Sequence, residues 1–169
     1  MKVSQILCAA GPVDAVTNQA FAWRRMFERW GWDGEDYVAN VAPGVTPATL
    51  RPLAQQRPDG GVVVVHYSGH AAGLDQAVNG RVVLVSHNIT PARYFWDDQP
   101  VDAARCTLAR AQLALLGRRA GRLAGVSEFN ARELRELSGR PAEVIPVLFD
   151  RAALGSPGPA EPPGPPTVL

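Results

Sequence analysis

Three histidines, His66, His70 and His87, carry the side chains of this sequence that most readily hold or hand over a proton near neutral pH. Two of them stand directly behind apolar runs. Residues 62–65 lead into His66-Tyr67-Ser68-Gly69-His70, and residues 81–86 lead into His87-Asn88-Ile89-Thr90. A histidine ending a buried strand can offer one ring nitrogen to a ligand while a backbone carbonyl holds the other. The plainer alternative for each is a hydrogen-bonded loop or strand-end residue without a ligand.

Two further polar clusters have the same placement: Asp14 with Asn18, and Ser127 with Glu128 and Asn130. Asp14 and Ser127 are good helix N-caps, which by itself accounts for them, although the free amides of a first helical turn also suit an anionic group. Other chemistries fit less well. A serine nucleophile at Ser68 would need glycines where His66 and His70 stand. A zinc site from His66, His70 and Asp75 would need one helical face, and Gly69 argues for a turn instead. The dinucleotide fingerprint is missing from residues 9–14, which hold a single glycine, Gly11. Asp97 and Asp98 are adjacent, so their side chains diverge as in a solvated turn rather than flanking a glycosidic bond.

These loops act together only if the strands before them end on one edge of a sheet. Short β-branched runs alternate with helical patterns about five times, the signature of βαβ units and a parallel sheet. Strands are expected at residues 3–9, 35–41, 62–65, 81–86, 122–126 and 143–147. Helices are expected from the Asp14 cap to about Trp30, around residues 48–56, over 101–116 and from the Ser127 cap to Leu137. Phe21, Met26, Phe27 and Trp30 are available for the inner face of the first helix, and Leu108, Leu113 and Leu116 for that of the third. The fold class is therefore α/β, an open parallel sheet of five to six strands of Rossmann-like type, whose ligands bind at the carboxyl ends of the strands.

The run Ser86-His87-Asn88-Ile89-Thr90-Pro91-Ala92-Arg93-Tyr94-Phe95 resembles the histidine-containing loop of the family 4 glycosyltransferases. In the same order, "DAVTNQAFAWRRMFERWG" resembles that family's first loop and helix, "VVVVHYSGHAAG" its "HYS" strand end, and "GVSEFNARELRELSGRPAEVIPVLFD" its "SEFN…EL" stretch. The resemblance covers residues 3–150. It implies the N-terminal, acceptor-side half of a GT-B fold, with a C-terminal donor-binding domain supplied in cis or in trans. It also implies transfer from a nucleotide sugar to a glycan or lipid-linked acceptor with retention, His87 beside the reacting sugar, and no metal or other cofactor. Candidate substrate-binding residues are Asp14, Asn18, His66, Tyr67, Ser68, Asn88, Thr90, Ser127, Glu128 and Asn130. The alternative is a ligand- or partner-binding module, or a truncated product, without turnover.

Bulk properties restrict the partners. With 169 residues, 46% of them hydrophobic, the chain suits one well-buried core, here residues 1–150. Residues 151–169, rich in proline and glycine, read as a linker or disordered tail. The net charge of +1 gives no electrostatic footprint for nucleic acid. Arg105, Arg110, Arg118, Arg119 and Arg122 could face a membrane surface, against the simpler reading of a solvated helix face. Cys8 and Cys106 read as free buried thiols. With no secretory signal and no apolar run of spanning length, a cytoplasmic setting is expected, peripheral at the inner membrane face if the arginines do meet lipid.

Overall fold

The computed structural model describes residues 1–12, 14–41, 49–78 and 81–148. Seven strands form one parallel sheet, β1 (Val3–Ala10), β2 (Asp36–Val41), β3 (Leu50–Pro52), β4 (Val62–Tyr67), β5 (Val82–Ser86), β6 (Arg122–Gly125) and β7 (Glu143–Val144), in the order β3-β2-β1-β4-β5-β6-β7. The chain winds outward from β1 to β3, then returns to the other side of β1 to lay down β4. The carboxyl ends of β1 and β4 therefore flank the switch in winding direction, where open sheets of this kind leave a crevice. The strand count exceeds the expected five to six because a short strand, β3, extends the β2 edge.

Strand alternation divides the core. Ile6, Cys8, Val65, Tyr67 and Leu84 point to one face, where α2 (Leu74–Ala77), α3 (Pro100–Arg119) and α4 (Glu128–Ser138) cover the sheet with Leu74, Leu113, Leu116 and Leu134. Val3, Val64 and Val85 point to the other face, against Trp23 and Phe27 of α1 (Ala15–Arg29). By the same alternation Gln5, His66 and His87 belong to the α1 face. At the end of β6, a Cβ on Gly125 would lie 2.2 Å from the Ala131 amide nitrogen, so only glycine lets α4 seat this closely.

Local signals set most boundaries. Asp14 caps α1 by accepting from the Thr17 amide at 2.8 Å, and Ser127 caps α4 by accepting from the Asn130 amide at 3.2 Å. Pro100 opens α3 at a position where its missing N–H costs nothing, and Gly139, at φ 70°, closes α4. The helix expected over residues 48–56 is not found in its described part. Pro52 pushes Arg51 into extended backbone, giving β3 and then a single 3-10 turn, Leu53–Gln55. Leu108 and Trp30, expected inside, are exposed, and the inner face of α1 is carried by Thr17, Gln19, Ala20, Trp23 and Phe27. Cys8 and Cys106 are both free, the first buried and the second half-buried. The proline- and glycine-rich residues 151–169 lie outside the described residues. Among those described, no helix is long and apolar enough to cross a membrane.

Candidate functional site

The buried polar centre is built on Gln5, a glutamine set into the mostly apolar strand β1. Its Nε2 donates to the Ala20 carbonyl and to Asp36 Oδ1, each at 3.0 Å. Asp36 is held in turn by Arg24, whose Nε and Nη2 both donate to it. With both amide hydrogens committed, Gln5 can only accept through Oε1, which lies 2.9 Å from His66 Nε2. His66 must therefore carry its proton on Nε2, leaving Nδ1 bare. That bare nitrogen lies 3.4 Å from His87 Nε2, so His87 donates from Nε2 and keeps Nδ1 as an acceptor. One chain of contacts thus runs Arg24–Asp36–Gln5–His66–His87 and assigns both tautomers.

Neither histidine is charged at neutral pH. Burial, reinforced by neighbouring His87, holds His66 down to about 3, and the Trp23 ring packs edge-on against it at 5.1 Å between centroids. Burial also brings His87 down to about 4, with the Asp14 carboxylate opposing that shift. A neutral His87 with a bare Nδ1 accepts a hydrogen bond from a hydroxyl. It is not poised to donate a proton.

On the α3 side of the same sheet edge lies an open pocket of about 710 Å³. Asn40 of β2, Ser68 and His70 behind β4, and Asn88 and Thr90 behind β5 contribute to its walls, together with Phe95, Gln99, Asp102 and Arg105. Two residues of α3 brace its loops. Gln112 exchanges two hydrogen bonds with the Ala71 backbone, at 3.0 and 2.9 Å. Arg110 donates to the Ile89 carbonyl at 2.9 Å and pairs with Glu133 of α4, so it is not one of the exposed arginines. Asp102 is paired with Arg105 at 2.9 Å. The polar groups left for a ligand are amides, hydroxyls and the His70 imidazole.

The candidate residues thus separate into three sets. Ser68, Asn88 and Thr90 line the pocket, joined by His70. Asp14, His66 and His87 belong to the α1 face, where Asp14 is occupied as N-cap and by the Thr17 hydroxyl. His66 is wholly buried with both ring nitrogens engaged, so it reaches a ligand only through His87. Tyr67 is also wholly buried, its hydroxyl donating to the Ala109 carbonyl at 2.7 Å, and burial raises its pKa above the usual phenol range. It braces β4 against α3 and does not open on the pocket. The third set lies at the start of α4: Ser127 and Asn130 bond to each other at 2.6 Å and Glu128 pairs with Arg135. Asn18 is exposed on α1.

Sequence reasoning missed Gln5, Asp36, Arg24 and Gln112. A polar residue inside an apolar strand was the available signal for Gln5, and Asp36 at the start of β2 repeats it. Gln19 was missed too; its amide is buried on α1 with neither polar atom bonded to a described group, and the same holds for the Trp23 ring nitrogen one turn on. No family model matches the chain, and no curated protein matches it significantly.

Proposed function

We propose that this domain is the acceptor-binding half of a retaining, sugar-transferring enzyme of the GT-B type. The observation that carries this reading is the pocket at the carboxyl edge of the sheet. Its polar lining includes the amides of Asn40, Asn88 and Gln99 and the hydroxyls of Ser68 and Thr90, with the Phe95 ring among the apolar groups, and a strand-end histidine kept neutral with a free acceptor nitrogen stands at the same sheet edge. Such groups suit a polyol, whose hydroxyls donate and accept in turn while the ring carbons pack on an aromatic face. The ordered likeness of residues 3–150 to family 4 glycosyltransferases supports the same assignment.

In a retaining transfer of this kind, the acceptor hydroxyl bonds to the anomeric carbon on the face that the nucleoside diphosphate leaves. Its proton passes to a departing phosphate oxygen, so no protein nucleophile is needed. The contribution of this domain is placement. Ser68, Asn88 and Thr90 hold the acceptor, and His87 accepts a hydrogen bond from a sugar hydroxyl at the cleft. A nucleotide-sugar site belongs to a partner domain. The setting we propose is cytoplasmic.

The test combines this chain with a donor-binding domain, in cis or in trans, and follows sugar transfer from a panel of nucleotide sugars. His87→Ala should lower transfer about 10-fold or more, as expected for a lost transition-state contact. Unchanged transfer would remove His87 from the reaction. A second reading is a sugar-binding module without turnover, which the same pocket amides and hydroxyls would serve. Saturable binding of simple glycosides with no transfer under any donor would identify that module, and a flat titration would exclude both.

A further inference from the structure

Helix α3 has two apolar faces. Its inner face, with Ala109, Leu113 and Leu116, packs on the sheet. Its outer face carries Val101, Ala104, Leu108, Ala111 and Leu115, the three larger residues being 63%, 56% and 55% exposed. The spacing of three and four residues continues to Arg118 and describes one straight seam about 25 Å long. The other long helices do not share this pattern. The outer face of α1 presents Asn18, Arg25, Glu28 and Arg29, and that of α4 presents Glu128, Arg132 and Glu136 with a single exposed aromatic, Phe129.

We infer that this seam is the contact surface for a second copy of the same chain, with the two α3 helices pairing antiparallel across a two-fold axis. The large and small residues of the seam are self-complementary in that register. With the axis between Ala109 and Arg110, Leu108 faces Ala111 of the second copy and Leu115 faces its Ala104, so each leucine meets an alanine, while Val101 at the end of the seam meets the aliphatic stem of Arg118. The charges agree. The segment leading into α3 carries Asp97 and Asp98, its first turn carries Asp102 paired with Arg105, and the carboxyl end carries Arg118, Arg119 and the neighbouring Arg122. Antiparallel pairing sets each acidic end against a basic end and opposes the two helix dipoles. Parallel pairing would stack like charges at both ends.

A membrane surface is the competing occupant for an apolar stripe with arginines. It is disfavoured because Asp97, Asp98 and Asp102 would turn toward the anionic lipids that attract the arginines, and because alternate seam positions are alanine and bury little in lipid. Five apolar residues per copy give less than the ~1,200 Å² of a standard stable interface. The dimer is therefore weak and reversible.

Sedimentation equilibrium over a concentration series of the full chain tests this directly. The wild-type chain should show a monomer–dimer equilibrium that Leu108→Glu weakens at least ~30-fold, with an unchanged circular dichroism spectrum and melting temperature. A chain made basic at both ends (Asp97→Lys, Asp98→Lys) and one made acidic at both ends (Arg118→Glu, Arg119→Glu) should each be monomeric alone and should pair when mixed. A wild-type chain still monomeric at about 1 mM overturns the inference. So does a dimer indifferent to Leu108→Glu. Binding of monomer to anionic phosphatidylglycerol vesicles, lost in Leu108→Glu, would assign the seam to membrane instead.

Discussion

Acid forces the buried histidine pair into conflict with the fold. In the unfolded chain His66 and His87 titrate near the ordinary value of about 6.5. In the folded domain they are held down to about 3 and about 4. The unfolded state therefore binds more protons than the native state at any pH between these limits. Stability is full above about pH 6.5 and falls as the pH drops toward the folded values. At about pH 4.5, two units below the unfolded value, each histidine favours unfolding by about 2–3 kcal/mol, ~5 kcal/mol for the pair. That matches the entire stability of a marginal domain. The groups around the pair do not relieve the conflict: Gln5, Trp23 and His87 surround His66, and only the Asp14 carboxylate, already engaged as a cap, favours a charge on His87. Urea denaturation followed by circular dichroism, in steps from about pH 7 to pH 4.5, should give a slope approaching ~2.7 kcal/mol per unit between about pH 6 and 5, above the range of ordinary carboxylates. In His66→Gln, which cannot titrate, the slope should fall to roughly half, ~1.4 kcal/mol per unit. A stability flat across that window, or a His66→Gln slope equal to the wild-type one, would refute the argument.

Three other substitutions probe separate parts of the molecule. Gln5→Leu leaves His66 Nε2 without a partner and removes one of the three bonds to Asp36 Oδ1, so the domain should lose about 2–3 kcal/mol in denaturant titration, and the imidazole nitrogen shifts of His87 should report a mixed tautomer. Gly125→Ala drives a methyl against the Ala131 backbone and should lower stability by more than ~2 kcal/mol, seen as a melting temperature several degrees lower. The double change Asn88→Ala with Thr90→Ala, at two exposed pocket residues, should leave stability within about 0.5 kcal/mol while weakening glycoside binding measured by calorimetry; a loss of stability instead would make them structural.

The strands were legible because parallel strands buried on both faces leave continuous apolar, valine-rich runs, as at residues 62–65 and 82–85, and the caps were legible because Asp14 and Ser127 act on their own next turn. Such signals are local. The route from Arg24 to His87 was not legible, since it joins residues from α1, β1, β2 and β4 whose contact depends on strand order and register. His66 and Tyr67 illustrate the limit: adjacent in the sequence at the end of one strand, they point to opposite faces, and neither opens on the pocket that their neighbour Ser68 lines. The segment after residue 48 was misjudged for a different reason. A helical composition was overridden by Pro52, whose steric effect on Arg51 outweighs the preferences of its neighbours. Leu108 shows that periodicity identifies apolar faces without saying which one meets the sheet.

The sheet edge has two sides with separate tasks. The histidine relay lies beneath α1 and reaches the edge only at His87, and the pocket opens beneath α3, with residues 86–88 as their shared border. A change of specificity on the α3 side can then proceed by replacing pocket side chains one at a time, because none of them supports the relay. The reverse holds for the α1 side, where each member of the relay fixes the proton of the next and substitutions must come in compatible sets. The domain therefore joins a readily altered recognition surface to a centre that resists piecemeal change, the arrangement a protein engineer would choose to retarget binding without rebuilding the scaffold.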